Sequence, residues 1–435
     1  MPREKVANWG NFPSIEANVT ESSDITEIQG FVGQQSSLIA RGNGRCYGDS
    51  SLNTNIFSTL KLNKFLSFDS AEKTLECESG VLLSDILDVI VPRRFFLPVT
   101  PGTKFITLGG AIAADVHGKN HHCEGSFVDH LVDLHLMTAT GETFRCSREE
   151  NAELFWMTCG GMGLTGIILS AKFRLKPIET SYIRQVSHKA RDIDHVMRLF
   201  EESGSYTYSV AWIDCFALKK NLGRSILRLG EHGDEAGLPA ALKNDPLRLA
   251  PKTGVNLPFF FPAFSINYAS VKVANFLYYH AQMSERRENF EHFDHYFYPL
   301  DGIHHWNRVY GQKGLVQYQF VLPKENSYDG LKTILEKIAQ SGQGSSLAVL
   351  KLFGKQNPNS VMSFPMEGYT LALDFKVNRQ VFGLLNELDE IVVKNSGRLY
   401  LAKDARMSPD IFHGSYSKIV ASNTFRSAQS TRLAF

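Results

Sequence analysis

Three clusters of glycine crowd the first 170 residues, and they narrow the fold more than any other feature of the chain. The first is Arg41-Gly42-Asn43-Gly44-Arg45-Cys46-Tyr47-Gly48-Asp49. The second runs from Pro101-Gly102-Thr103 to Thr107-Leu108-Gly109-Gly110, and the third is Gly160-Gly161-Met162-Gly163-Leu164-Thr165-Gly166. Glycine tolerates positive φ and brings bare backbone N–H groups close to a ligand, so such a turn can hold an anion. One cluster alone reads as a tight turn; three together point to a phosphate-bearing or planar group lying on the main chain. The first is not a Rossmann fingerprint, because the third glycine is out of place and no amphipathic helix follows. It is not a P-loop either, since no G-K-[ST] closes it. A short helix starting near Gly110 would offer its N-terminus to the same anion.

Other ligand classes recede on charge and composition. Lys and Arg number 46 against 45 Asp and Glu, without the basic excess of a nucleic-acid binder, so no nucleic-acid partner is expected. With 43% hydrophobic and 21% charged residues the chain reads as globular, and 435 residues suit two or three domains. The start, MPREKVANWGNFPS, has no apolar run behind its charges. A cytoplasmic location is therefore expected, with membrane contact limited to a peripheral one at the inner face. Six cysteines without a C-x-x-C pair read as buried reduced thiols. No metal is expected at His117, Lys119, His121 and His122, because Gly118 and Asn120 break the helical spacing of a histidine pair.

Up to about Lys176 short strands alternate with turns, with one amphipathic helix in VLLSDILDVIV and a hairpin turning at Thr140 and Gly141. Beyond Pro177 aromatic residues rise. LVQYQFVL, SSLAVLKLFG and YTLALDFKV read as strands, and LKTILEKIAQSG and VFGLLNELDEIVVKNSG as helices ending at glycine. That order fits a sheet covered on one face by helices. The stretch from Phe216 to Ala263 shows no clear period and reads as a long functional or mobile loop. Its basic and aromatic residues, among them Lys219, Lys220, Arg224, Arg228 and Phe259 to Phe261, suggest a lid that touches a bilayer surface.

The motifs R-G-x-G-R-x-Y-G-D, P-G-T, G-G-A-I-A-x-D-x-H-G-K-N-H-H, E-L-F-W and G-G-x-G-L-T-G-I-I resemble the FAD-binding domain of the vanillyl-alcohol oxidase / p-cresol methylhydroxylase superfamily. With Y-T-Y-S-x-A-W-x-D, W-N-R-x-Y-G, Q-Y-Q-F, K-L-F-G and G-R-L-Y-x-A-K-D-x-R, the resemblance extends over nearly the whole chain, toward its decaprenylphosphoryl-ribose 2′-oxidase branch. It implies an α+β fold: a two-subdomain FAD-binding domain (1–178), a substrate domain with an antiparallel sheet covered by helices (179–396), and a C-terminal segment (397–435) returning to the FAD domain.

The resemblance places FAD against Ala40, Arg41, Gly42, Asn43, Gly44, Arg45, Cys46, Tyr47, Gly48, Asp49 and Ser50 of the first loop. It adds Gly102, Thr107, Leu108, Gly109, Gly110, Ala114, Asp115, Val116 and His117 of the second, with Ile168 and Tyr400. Several family members attach FAD through a histidine after the second glycine of the first loop. Arg45 stands there, and a guanidinium is no nucleophile, so FAD is expected to be noncovalent, with Arg45 neutralising pyrophosphate charge. Lys403, His117 and Tyr47 are the implied catalytic residues. Lys403 would hold the reacting hydroxyl, and Lys119, Trp212, Asn307, Gln319 and Lys351 would contact substrate.

The expected reaction is oxidation of the 2′-hydroxyl of a polyprenylphosphoryl ribose to the ketone, as the first half of an epimerisation to arabinose. A short-chain NAD(P)H-dependent reductase would be the partner. A soluble sugar or aldonolactone oxidase and an idle flavin-binding scaffold are the alternatives. Two departures bear on the pocket: Ala372 stands where mycobacterial members have a cysteine, and Phe297 where that branch has a tyrosine.

Overall fold

The computed structural model describes residues 3–249, 254–262, 264–345 and 347–417. Three sheets organise it. The first holds β1 (Glu4–Ala7), β2 (Ser14–Glu21), β3 (Ile39–Arg41) and β4 (Asn55–Ser58) in the order β1-β2-β4-β3. Strands β2 and β3 flank β4 in parallel, and α1 (Ile25–Gln34) joins them, its first turn capped by the Asp24 carboxylate. The second sheet is antiparallel: β5 (Phe65–Asp69), β6 (Thr74–Glu78), β7 (Leu131–Met137), β8 (Thr143–Ser147) and β9 (Ile167–Arg174), ordered β5-β6-β9-β7-β8. Helix α2 (Leu83–Ile90) and α3 (Leu108–Ala113) bury Leu83, Ile86, Leu87, Ile90, Leu108, Ala111 and Ile112 in the same core as this sheet.

The third sheet is also antiparallel and has eight strands: β10 (Tyr182–Ala190), β11 (Tyr208–Ile213), β12 (Ser225–His232), β13 (Arg286–His292), β14 (Leu315–Pro323), β15 (Ala348–Phe353), β16 (Gly368–Lys376) and β17 (Arg398–Leu399). Their order is β13-β10-β12-β11-β15-β16-β14-β17. Successive residues of a strand face opposite sides. Tyr318, Phe320, Leu350, Leu371 and Leu373 turn to one side and share a core with apolar residues of α4 (Ile193–Glu202), α6 (Lys324–Ser341) and α7 (Arg379–Lys394). The intervening residues, Gln317, Gln319, Val349, Lys351, Thr370 and Ala372, form the other face.

The stretch from Phe216 to Ala263 reads as a loop in the sequence, yet within it Ser225–His232 is β12, an interior strand paired with both β10 and β11. Ile226, Leu227 and Leu229 are buried in it. Arg228, Gly230 and Glu231 obscured its apolar pattern, and Arg228 is polar because it faces a cleft instead of a core. Ala250 to Thr253 and Ala263 of the same stretch lie outside the described residues.

After Leu399 the chain leaves the third sheet and docks on the first glycine cluster. The Tyr47 amide donates to the Ala402 carbonyl (3.1 Å), the Asp49 amide to the Asp404 carbonyl (3.1 Å), and the Ser50 hydroxyl to the Leu401 carbonyl (2.9 Å). Only glycine fits at position 48, where a Cβ would lie 1.5 Å from the Asp404 carbonyl oxygen. Gly48→Ala is therefore expected to destabilise the protein by about 2 kcal/mol or more, because backbone on both sides must shift. A denaturant melt checks this, and a midpoint equal to the parent's would refute it.

Candidate active site

The three glycine clusters converge on one cavity of about 390 Å³ between the first two sheets and the polar face of the third. The loop after β3 and the turn before α3 meet at Gly42 and Thr107, where a Cβ on Gly42 would lie 2.2 Å from Thr107 Oγ1. That hydroxyl oxygen caps α3, accepting from the Gly110 amide (3.1 Å). The third cluster is tied to the end of α3, since the Gly160 and Met162 amides donate to the Ile112 (3.0 Å) and Ala113 (2.8 Å) carbonyls. Close backbone packing thus builds one wall.

Two cations shape this wall. Arg41 is held from behind, donating to the Ala7 carbonyl (2.9 Å) and to the Asn8 side chain. Arg45 lies 4.1 Å from the Trp9 ring centroid, near Phe105 and the Asp301 carboxylate. The wall fits the pyrophosphate and ring system of FAD on its own geometry. Bare backbone lines it at Gly42, Gly44, Gly109 and Gly110, Gly102 has open space on its Cβ side, and the buried Ser79 hydroxyl on the same wall has no partner.

Opposite stand cations in a poorly solvated setting. Burial lowers both Lys351 and Lys403 to about 8; the Lys403 charge lowers Lys351 further, while Cys46 and Asp374 partly support the Lys403 ammonium. Among the described residues no carboxylate forms an ion pair with either lysine. Lys403 Nζ lies 4.0 Å from the Tyr47 ring centroid. Asp374 is buried; its carboxylate accepts from Gln317 Nε2 and its main-chain amide donates to Ser345 Oγ (2.9 Å), and burial pushes its carboxyl up to about 7. Lys119 donates to the carbonyls of Tyr296 (2.7 Å) and Phe297 (3.1 Å).

His117 is buried among Phe353, Phe364 and Tyr400, and burial together with Lys351 and the neighbouring His121 holds its pKa well below the usual range. Its tautomer follows from the bonds around it. Thr370 Oγ1 donates to the Phe320 carbonyl (2.8 Å) and so accepts from Gln319 Nε2 (3.2 Å). The same amide nitrogen lies 3.0 Å from His117 Nε2, which must then be the lone-pair nitrogen, leaving the proton on Nδ1. Nδ1 is buried and has no partner.

Most of the residues named from the sequence line this cavity, including Ala40 to Tyr47, Ser50, Gly102, Thr107, Gly109, Gly110, Ala114, Val116, His117, Lys119, Trp212, Gln319, Lys351, Tyr400 and Lys403. Ile168 does so as well. Five do not. Gly48 packs on Asp404, Asp49 is exposed, and Leu108 is core. Asp115 is buried and accepts from the Ser363 hydroxyl and the Val128 amide. Asn307 donates to the Trp9 carbonyl (2.8 Å). Of the neighbours of His117, His121 accepts at Nδ1 from the Gly354 amide (3.2 Å) and His122 Nε2 meets the Tyr206 carbonyl (2.9 Å), so the cluster splays apart. Sequence reasoning missed Trp9, Ser79, Arg228, Tyr278, Gln317 and Thr370. Strand alternation with Gln319 and Lys351 was the available signal for Gln317 and Thr370; Trp9 and Tyr278 carried none.

A family model described as an FAD binding domain matches residues 13–147. The chain is 35% identical to decaprenylphosphoryl-β-D-ribose oxidase of Mycolicibacterium smegmatis over 427 residues, 96% of this chain and 92% of that one. It is 28% identical to L-gulonolactone oxidase of Scyliorhinus torazame over 186 residues, 41% and 42% of the two chains. A shorter match, 38% over 74 residues, links it to cytokinin dehydrogenase 5 of Arabidopsis thaliana, 17% of this chain and 14% of that one.

An ammonium whose pKa is depressed on folding destabilises the folded state at neutral pH, and the penalty fades as pH rises from about 8 toward the unfolded value near 10.5. Lys351→Met is therefore expected to raise apoprotein stability at pH 7 by about 1–3 kcal/mol. The gain should shrink above pH 8. Melts across pH measure it, and a less stable variant at pH 7 would show that Lys351 is paired.

Proposed function

The chain belongs to the FAD-dependent oxidoreductase family of decaprenylphosphoryl-β-D-ribose oxidase, and on that footing we propose that it oxidises the 2′-hydroxyl of a polyprenylphosphoryl ribose to the 2′-keto sugar. The observation that carries this reading is the pair Lys351 and Lys403, two poorly solvated ammonium groups lining one cavity, with neither of which any carboxylate among the described residues forms an ion pair. Such a pair calls for an anionic ligand, and a sugar phosphate provides the charge beside the hydroxyl. The aldonolactone oxidase alternative has less support: the gulonolactone oxidase match covers 41% of this chain, against 96% for the first relative. A short-chain nicotinamide-dependent reductase would act next on the ketone and return the opposite epimer.

Bound FAD supplies the acceptor for the hydride that leaves the carbinol carbon. The protein's part is orientation and charge. Lys403, fixed over the Tyr47 ring and lowered to about 8, takes the hydroxyl proton in its amine form. The ammonium so formed stabilises the alkoxide character of the oxygen until hydride loss to FAD turns it into the ketone carbonyl. Burial raises the Tyr47 hydroxyl well above its usual range, so it stays protonated and serves as a neutral platform. Lys351 and Lys119 hold the phosphate, with Lys119 already aimed by two carbonyls. His117 offers a neutral N–H whose orientation Gln319 fixes. Arg45 in the place of an attaching histidine supports noncovalent FAD.

Lys403→Ala should keep its FAD and slow flavin reduction, in anaerobic mixing with a polyprenylphosphoryl pentose, by roughly two orders of magnitude or more. Reduction at the parent rate would make Lys403 a bystander. Acid precipitation should leave the yellow colour in the supernatant; flavin retained in the pellet on any peptide would overturn noncovalent binding. Gly110→Val should give colourless protein, since a branched side chain there enters the wall assigned to the cofactor.

A further inference from the structure

We propose that α5 (Tyr268–Ala281) and the segment leading into it form a docking surface for an anionic lipid bilayer, placed at the rim of the active-site cavity. Large apolar side chains usually scatter singly over a protein surface. Here they gather: Phe264 is 77% exposed, Leu277 61%, Phe276 50% and Met283 93%, with Val273 and Phe259 also largely exposed. The helix does not lie loose. Asn275 donates to the buried Asp214 carboxylate (2.9 Å), which also pairs with Arg224 (2.7 Å), and Tyr279 packs on Lys189. Polar anchors therefore hold its inner face while its outer face is apolar, the reverse of an ordinary surface helix.

Charge favours an anionic membrane over a second copy of the chain. No Asp or Glu occurs between Asp245 and Glu285, a span of the sequence with three lysines and arginines. Lys272 projects from the helix, and Lys219 and Lys220 are exposed in the turn that follows Phe216, whose ring packs on Tyr268 at 4.8 Å. Acidic residues return only at Glu285 and Glu288, where Arg286 pairs with Glu288. An apolar face with exposed lysines at its edge suits the headgroup boundary of a bilayer.

The surface is continuous with the cavity. Tyr278 lines the cavity from α5, its ring 4.6 Å from Trp212 and its hydroxyl accepting from Arg228 (2.7 Å). A helix seated in the headgroup layer would thus set the cavity mouth against the membrane and admit a lipid-borne phosphate without withdrawing its tail. This consequence rests on the substrate reading above; vesicle binding itself does not.

Co-sedimentation of the holoenzyme with phosphatidylcholine vesicles containing phosphatidylglycerol, without substrate, tests the surface directly. The parent should bind these and largely ignore phosphatidylcholine alone. Leu277→Glu should weaken binding about tenfold or more, the scale of one buried leucine, while retaining full FAD absorbance as a check on folding. No binding by the parent, or equal binding by the variant, overturns the proposal. Light scattering that shows a parent dimer and a monomeric Leu277→Glu variant would overturn it too, assigning the face to a second copy. Vesicle binding without flavin bleaching by a polyprenylphosphoryl pentose would sink the substrate reading and leave the surface standing.

Discussion

Close approach at two glycines, the Gly42 backbone against the Thr107 side chain and the Gly48 backbone against that of Asp404, is the constraint on which the rest of this molecule hangs. Any side chain at either place would push apart elements that must touch. Because they touch, the first glycine cluster is gripped on one side by the cap of α3 and on the other by the chain leaving the third sheet. The cofactor wall is therefore not a flexible loop awaiting a ligand. It is a seam between the sheets, and its amide groups are fixed by packing that has nothing to do with FAD.

The opposite wall follows from the pleat of the third sheet. Alternate residues of β14, β15 and β16 supply a core for three helices, and those between them line the cavity. The cavity carries more positive charge than its own carboxylates can balance, with Lys351 and Lys403 held at about 8 by burial. Unneutralised buried charge is expensive, and a fold keeps it only where a ligand completes the account. The neutral His117, fixed by Gln319 and Thr370, adds a directed donor without adding to that excess.

Periodic segments were the legible part of the fold. The helices α2, α6 and α7 and the strands β14 to β16 show in the sequence because their apolar residues recur at the spacing their burial requires. Strand β12 does not, since it turns Arg228 to a cavity and carries Gly230 and Glu231. Helix α5 escaped for the opposite reason: its buried face is marked by Val271 and Asn275, and its apolar residues lie outside, so periodicity points the wrong way. Within the site the glycine clusters and the lysines could be named from motifs. Gln317, Thr370 and Arg228 became visible only when strand register set them on one face, and Leu108 and Asp115 proved to be structural because motif position says nothing about which way a side chain turns.

The bond from the Ser50 hydroxyl to the Leu401 carbonyl spans 351 residues. A ribosome working at roughly 5–20 residues per second needs about 20–70 s to cross that interval. During that time the first glycine cluster has emerged without the strand end that closes it. The seam assigned to the flavin therefore closes only after the strands of the third sheet have been synthesised. A chain cut before Leu401 would thus carry the whole first glycine cluster and still lack the backbone that grips it.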